Sequence, residues 1–217
     1  MKTTLLPLVI LTTAASAQTM PVKSVNRSEQ FSVGVSYAST SDAWGFGNLD
    51  TSATTVDLRA TVVSNVFLTA SFSDMNTDTI IGPIQPDAFD ISSYSFGFGT
   101  KIAAGNGSLE LSYAYCKLDF PYNDLSMNQN IFKAGYTVEL GNGFNVGLAL
   151  IHYLNDEITG SGAFSGGEPD DVTAPVVTVG YNFGQGFSAN VSYSTENTIF
   201  GGPDSDGTMS VGVRYGF

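Results

Sequence analysis

Apolar and polar residues alternate with a period of two along most of the chain. Phe31, Val33, Val35 and Tyr37 are separated by Ser32, Gly34 and Ser36, and Val56, Leu58, Ala60 and Val62 by Asp57, Arg59 and Thr61. The same alternation returns in Val66–Phe72, Tyr94–Phe98, Leu109–Tyr115, Phe132–Leu140, Phe144–Leu150, Val177–Phe183, Phe187–Tyr193 and Met209–Phe217. Successive side chains of a strand point to opposite faces, so each set paints one apolar face. The pattern predicts ten strands, with eight as the alternative if two segments are misread.

The connections decide what the strands build. Tight turns are expected at Ser64-Asn65, Ala103 to Gly107, Gly141-Asn142-Gly143 and Gly184-Gln185-Gly186. Long connections are expected over about 41–53, 74–90, 119–128, 155–173 and 196–207. Short and long alternate along the chain, as they do in membrane barrels with short periplasmic turns and long external loops. A soluble sandwich has no reason to sort its loops by length to one end. The expected fold is all-β: a transmembrane antiparallel up-and-down barrel over residues 30–217.

The N-terminus adds an export signal. Lys2 is a charged n-region, Leu5 to Leu11 a short apolar run broken by Pro7, and Ala15-Ser16-Ala17 an A-x-A cleavage site before Gln18. That run is too short for a spanning helix. Residues 1–17 are therefore expected to be removed, and the polar segment 18–29 to lie in the periplasm. The chain has 217 residues and a formal net charge of −12, and losing Lys2 makes the charge −13 (−12 − 1). That balance excludes a general affinity for nucleic acid. Cys116 is the single cysteine, so no disulfide closes within the chain.

The C-terminus carries a resemblance. Ser210, Val211, Gly212, Val213, Arg214, Tyr215, Gly216 and Phe217 resemble the assembly signal of Gram-negative outer-membrane barrels: polar, any, glycine, any, any, hydrophobic, any, terminal aromatic. The constrained positions are Ser210, Gly212, Tyr215 and Phe217. Motifs such as Val33-Gly34-Val35-Ser36-Tyr37 and Val179-Gly180-Tyr181-Asn182-Phe183 make the chain similar to small porin-like barrels. The resemblance implies residence in the cell outer membrane, with its lipids and lipopolysaccharide as surroundings and the outer-membrane assembly machinery as a partner.

With apolar sets facing lipid, the other parity lines the lumen. It contains Asp57, Arg59, Lys101, Glu110, Lys133, Glu139 and Arg214, among mostly Ser, Thr, Gly, Ala and Asn. Lys101, Glu110, Glu139 and Arg214 are expected near the periplasmic mouth. Mixed charges there suit a constriction that filters solutes, or equally a salt-bridged plug. The external loops hold most of the 20 acidic residues; the others are Glu29, Asp57, Glu110 and Glu139. Such loops are electronegative. No cofactor is implied beyond a divalent cation at the loops, for which Glu168, Asp170, Asp171, Asp204 and Asp206 are weak candidates without a full calcium-loop pattern.

Catalysis is not expected. His152, the one histidine, has the lipid-facing parity. The His-x-Ser pair of barrel lipases fails at Leu154 and the Asp-x-His pair of barrel proteases fails at Leu150. Cys116 has lumen parity, and Trp44 lies in the first long loop. Two functions stay open: a porin-like passive diffusion channel for small solutes or ions, and a closed structural or surface-interaction barrel.

Overall fold

The computed structural model describes residues 30–40, 51–63, 65–77, 91–120, 124–160, 166, 171–195 and 207–217. The signal segment, residues 18–29, Trp44 and four of the cation candidates (Glu168, Asp170, Asp204 and Asp206) lie outside them. Ten strands run in chain order: β1 (Phe31–Thr40), β2 (Thr51–Val63), β3 (Val66–Thr77), β4 (Ile91–Ala104), β5 (Gly107–Phe120), β6 (Leu125–Gly141), β7 (Phe144–Asn155), β8 (Val172–Gly184), β9 (Phe187–Ser194) and β10 (Thr208–Gly216). Each pairs antiparallel with its neighbours, and β10 returns to β1, so the sheet closes on itself. The expected ten-stranded up-and-down barrel is the fold. Closure leaves no sheet edge, which is what a spanning sheet needs where no water can serve free backbone groups.

The seam shows how closure is finished. Ser32 to Ser39 pair with Gly216 to Met209, and the ladder ends where Phe217 N–H donates to Phe31 O at 2.9 Å and Phe31 N–H to Phe217 O at 3.2 Å. The tight turns sit where expected. Asn142 and Gly143 have φ of 50° and 88°, Gln185 and Gly186 of 53° and 82°. Two consecutive left-handed residues match the twist of a two-residue hairpin.

The faces follow the predicted parity. Phe72, Phe96, Phe98, Leu148, Phe183 and Phe217 are each more than half exposed, on the outer wall. Along β4 this wall runs from Tyr94 to Ile102. Eight residue-to-residue steps of ~3.4 Å, tilted by ~40°, span about 21 Å along the axis, close to the ~25 Å apolar band of outer-membrane barrels. The periplasmic edge is marked by rings in contact: Phe144, Tyr181, Phe183, Phe187, Tyr215, Phe217 and Phe31 form a chain with centroid spacings of 4.7–6.3 Å. This is one arc of an aromatic girdle. At the external edge Lys117 and Asp119 form an outward ion pair of 2.9 Å, with the ammonium 5.9 Å from the Tyr94 ring.

One connection differs from expectation. Residues 119–128 are not a long loop: β5 runs to Phe120 and β6 starts at Leu125. The alternation was read only across the membrane band, but the ladder continues above it, pairing Leu118 with Met127 and Phe120 with Leu125. Asp74 and Asp119 accordingly sit in strands, not loops. A bridge between Ser126 and Thr159 adds a short stretch of chain beside this tall hairpin.

Candidate functional site: the lumen

The inward side chains form three layers. Nearest the periplasmic turns is a charged layer. Arg59 Nη1 on β2 reaches across the lumen to Glu110 Oε2 on β5 at 2.9 Å, passing two intervening strands. Lys133 Nζ on β6 lies 3.5 Å from the other oxygen of the same carboxylate. Arg214 on β10 bridges over β1 to Asp57 on β2, and its Nη1 also donates to Ser32 Oγ at 2.9 Å. All five charged residues are less than 9 % exposed. Buried charges persist only when paired and hydrogen-bonded, and here each acid meets at least one base.

Two local features set this geometry. Gly34 stands under the Asp57–Arg214 pair: a Cβ there would overlap the Asp57 carboxylate and lie 3.1 Å from Arg214 Nη2. The absence of a side chain lets both groups lie flat against β1. Phe67, 1 % exposed, supplies a ring 3.4 Å from the Arg59 guanidinium carbon. That cation–π contact holds Arg59 from the side away from its carboxylate.

Next comes a belt of hydroxyls. Thr55 and Ser73 are 2.7 Å apart, Ser71 and Ser95 2.6 Å, and Thr178 donates to Ser192 at 3.2 Å. The external third is mostly apolar, with buried Thr40, Gln129, Ser194 and Thr208 among its side chains. Met75, Ile91, Cys116, Leu118, Met127, Ile131, Ile151, Tyr153 and Val176 pack as one cluster with Ala38, Ala53, Ala174, Leu125 and Ile158. The first eight strands all contribute to it, so it reaches across the barrel.

The sequence-predicted residues divide. Asp57, Arg59, Glu110, Lys133 and Arg214 come together inside. Lys101 is half-buried beside them in register with Glu110. Glu139 is exposed. It pairs with the inward-facing Asn145, so it keeps the lumen parity near the turn, and the ladder shifts register only beyond it, between Glu139 and Gly141. Glu110 and Arg214 lie in the layer nearest the periplasmic turns, each buried in an ion pair. Asp171 accepts a hydrogen bond from Asn155 N–H at 3.1 Å, tying β8 to the end of β7. Among the described residues no group of three His, Cys, Asp or Glu side chains could hold a metal ion. Ser210 faces inward, whereas Tyr215 and Phe217 stand in the girdle.

His152 faces outward as expected, with Nδ1 2.9 Å from Thr173 Oγ1. It borders a groove of about 710 Å³ on the outer wall with Phe98, Tyr113 and Phe132. Phe67 and the apolar cluster were missed by alternation. Their signal was present as apolar residues on both parities, as in Ile151-His152-Tyr153 and Ile131-Phe132. A strand apolar on both faces is buried on one and lipid-facing on the other.

Neither a family model nor a curated protein matches this sequence. Solved structures do. An outer-membrane channel from Pseudomonas putida F1 overlays with a TM-score of 0.57 at 11 % identity, covering 92 % of this chain and 100 % of that one. This chain has the fold of an outer-membrane β-barrel. A loop-deletion form of the Vibrio cholerae outer-membrane protein OmpT overlays with a TM-score of 0.43 at 15 % identity, covering 88 % of this chain, which spans only 61 % of the length of that one. The KdgM porin overlays with a TM-score of 0.44 at 10 % identity, covering 86 % of this chain and 99 % of its own.

Proposed function

We propose that this protein is an outer-membrane barrel whose lumen is closed to hydrated solutes, acting through its surfaces and not as an open pore. The observation that carries the reading is the doubled seal. A charged layer knits β10, β1, β2, β5 and β6 together, and an apolar cluster from eight strands lies external to it. Either layer alone would obstruct a hydrated ion. An ion crossing both would shed water against side chains such as Met75, Ile151 and Tyr153, each 0 % exposed, and that loss of hydration opposes passage.

Porin-like passive diffusion is the second reading. One observation favours it: a layer of mixed charge in the lumen is the kind of element that sorts ions in a pore. The likeness to a Pseudomonas putida channel shows a shared fold only. Neither reading involves catalysis, and His152 has no role in either.

Liposome swelling separates the two. Vesicles containing the folded barrel and placed in isotonic arabinose or glycine should stay at constant turbidity for the closed barrel. Swelling at rates that fall with solute size would establish diffusion.

A further inference from the structure

The groove that His152 borders runs obliquely up the lipid-facing wall. Its floor follows one register row, Val66, Thr100, Leu111, Ala134 and Leu150 on β3 to β7. The next row toward the outside, Phe98, Tyr113, Phe132, His152 and Thr173, forms its upper bank. Thr100 and Ala134 are small between larger neighbours, so the floor is low where the rings of the bank stand in series, with centroids 5.6 and 5.2 Å apart. The two ends lie at different heights. Val66 opens β3 beside a tight turn, whereas Thr173 stands near the external start of β8 (Val172–Gly184).

Phe98 is the midpoint of the apolar wall of β4, which runs from Tyr94 to Ile102. Each step to the next strand along a row is ~4.8 Å and climbs ~3 Å when strands tilt by ~40°. His152 and Thr173, three and four strands on, therefore stand about 9 and 12 Å external to mid-membrane, at the limit of the ~25 Å apolar band. An ionisable side chain on a lipid-facing wall marks a site, because hydrocarbon offers it no partner. His152 Nδ1 is taken by Thr173 Oγ1 at 2.9 Å, and among the described residues Nε2 has no partner. With the Thr173 hydroxyl donating to Nδ1, the ring proton sits on Nε2 as a donor at the external end of the groove. Just beyond it the wall turns acidic: Asp171 lies two residues external to Thr173, and Asp156 follows the end of β7, both exposed.

We propose that the groove holds one acyl chain of a zwitterionic phospholipid whose head ends in an ammonium group. The chain lies over Thr100 and Ala134 beneath the rings, its ester carbonyl accepts from His152 Nε2–H, and the ammonium faces Asp156 and Asp171. Charge selects the head, since the same acids repel a net anionic one. Geometry selects a flexible chain over a second copy of the barrel. In a two-fold dimer about the membrane normal, the partner's aromatic bank would cross the groove at about 80°, twice the ~40° inclination of the row, and could not fill it. The site lies on the outer wall and does not depend on the barrel being closed.

The probe is palmitoyl-oleoyl phosphatidylethanolamine, added to the folded, detergent-solubilised protein and read by native mass spectrometry. The wild type should retain one molecule, and its diether analogue, which lacks the carbonyl, should bind roughly three-fold more weakly, the loss of one hydrogen bond. Phosphatidylglycerol with the same chains lacks the ammonium and should also bind roughly three-fold more weakly. No retained lipid, or equal retention of all three, overturns the proposal on the wild-type protein alone. Lipid A bound more tightly than phosphatidylethanolamine overturns the choice of lipid. His152→Leu should bind the ester and ether forms alike, and a preserved ester preference removes His152 from the site. Ala134→Phe puts a ring on the floor and should lower retention roughly ten-fold; unchanged retention in a folded A134F protein, or a wild-type dimer that A134F breaks apart, assigns the groove to something other than a lipid chain.

Discussion

Replacing Glu110 by glutamine should destabilise the barrel by about 3–5 kcal/mol. Glu110 is the shared acid of Arg59 and Lys133, at 2.9 and 3.5 Å. The side-chain exposures are 7 % for each base and 10 % for the acid. Glutamine keeps the shape and removes the charge, leaving two buried cations that no longer share a carboxylate. Burial decides the magnitude: a solvated pair of the same geometry would contribute only about 0–1 kcal/mol. The experiment is equilibrium urea unfolding in lipid vesicles, with the folded fraction read from the mobility of unheated samples on a denaturing gel. Replacing all three partners (Arg59→Met, Glu110→Leu, Lys133→Met) should cost far less than E110Q, since an apolar substitute of similar volume leaves no orphaned charge. A loss below about 1 kcal/mol for E110Q would mean that water bathes the pair, and the closed-lumen argument would fail with it.

Three further outcomes follow from the same geometry. Gly34→Val should cost about 1–3 kcal/mol by overpacking, because its side chain would displace the Asp57–Arg214 pair; the same unfolding assay reads it. Gln185→Gly should gain about 1 kcal/mol, since Gln185 holds a left-handed φ of 53° that disfavours any side chain. Truncating the apolar cluster with Leu118→Ala, Ile151→Ala and Tyr153→Ala together should leave a folded but weaker barrel, each change costing about 2–5 kcal/mol, and should raise ion leakage across vesicles.

Most of the wall was legible in the sequence, and most of the filling was not. Alternation found all ten strands because lipid on one side and lumen on the other impose a strict period of two. Lumen parity picks out Asp57, Arg59, Glu110, Lys133 and Arg214, all buried in the structure, because parity is a local property. Their pairing is not local: Arg59 and Glu110 are 51 residues apart, and which charges meet depends on the stagger of the closed sheet. Glu139 keeps the same parity, opposite Asn145, but lies exposed near the turn after β6. The apolar layer escaped because Ile131, Ile151 and Tyr153 sit beside lipid-facing residues and blur the alternation. The lengths of β5 and β6 escaped because above the membrane the outer face turns polar, at Lys117, Asp119, Ser126 and Asn128, while the hydrogen-bonded ladder carries on.

Single-channel recording in a planar lipid bilayer tests the central claim most directly. The wild-type barrel, inserted and shown to be folded, should give no conductance steps in molar potassium chloride, while the protein carrying Leu118→Ala, Ile151→Ala and Tyr153→Ala should give small discrete ones. Reproducible steps from the wild type, scaling with salt concentration, would contradict the closed barrel and establish a pore through the charged layer.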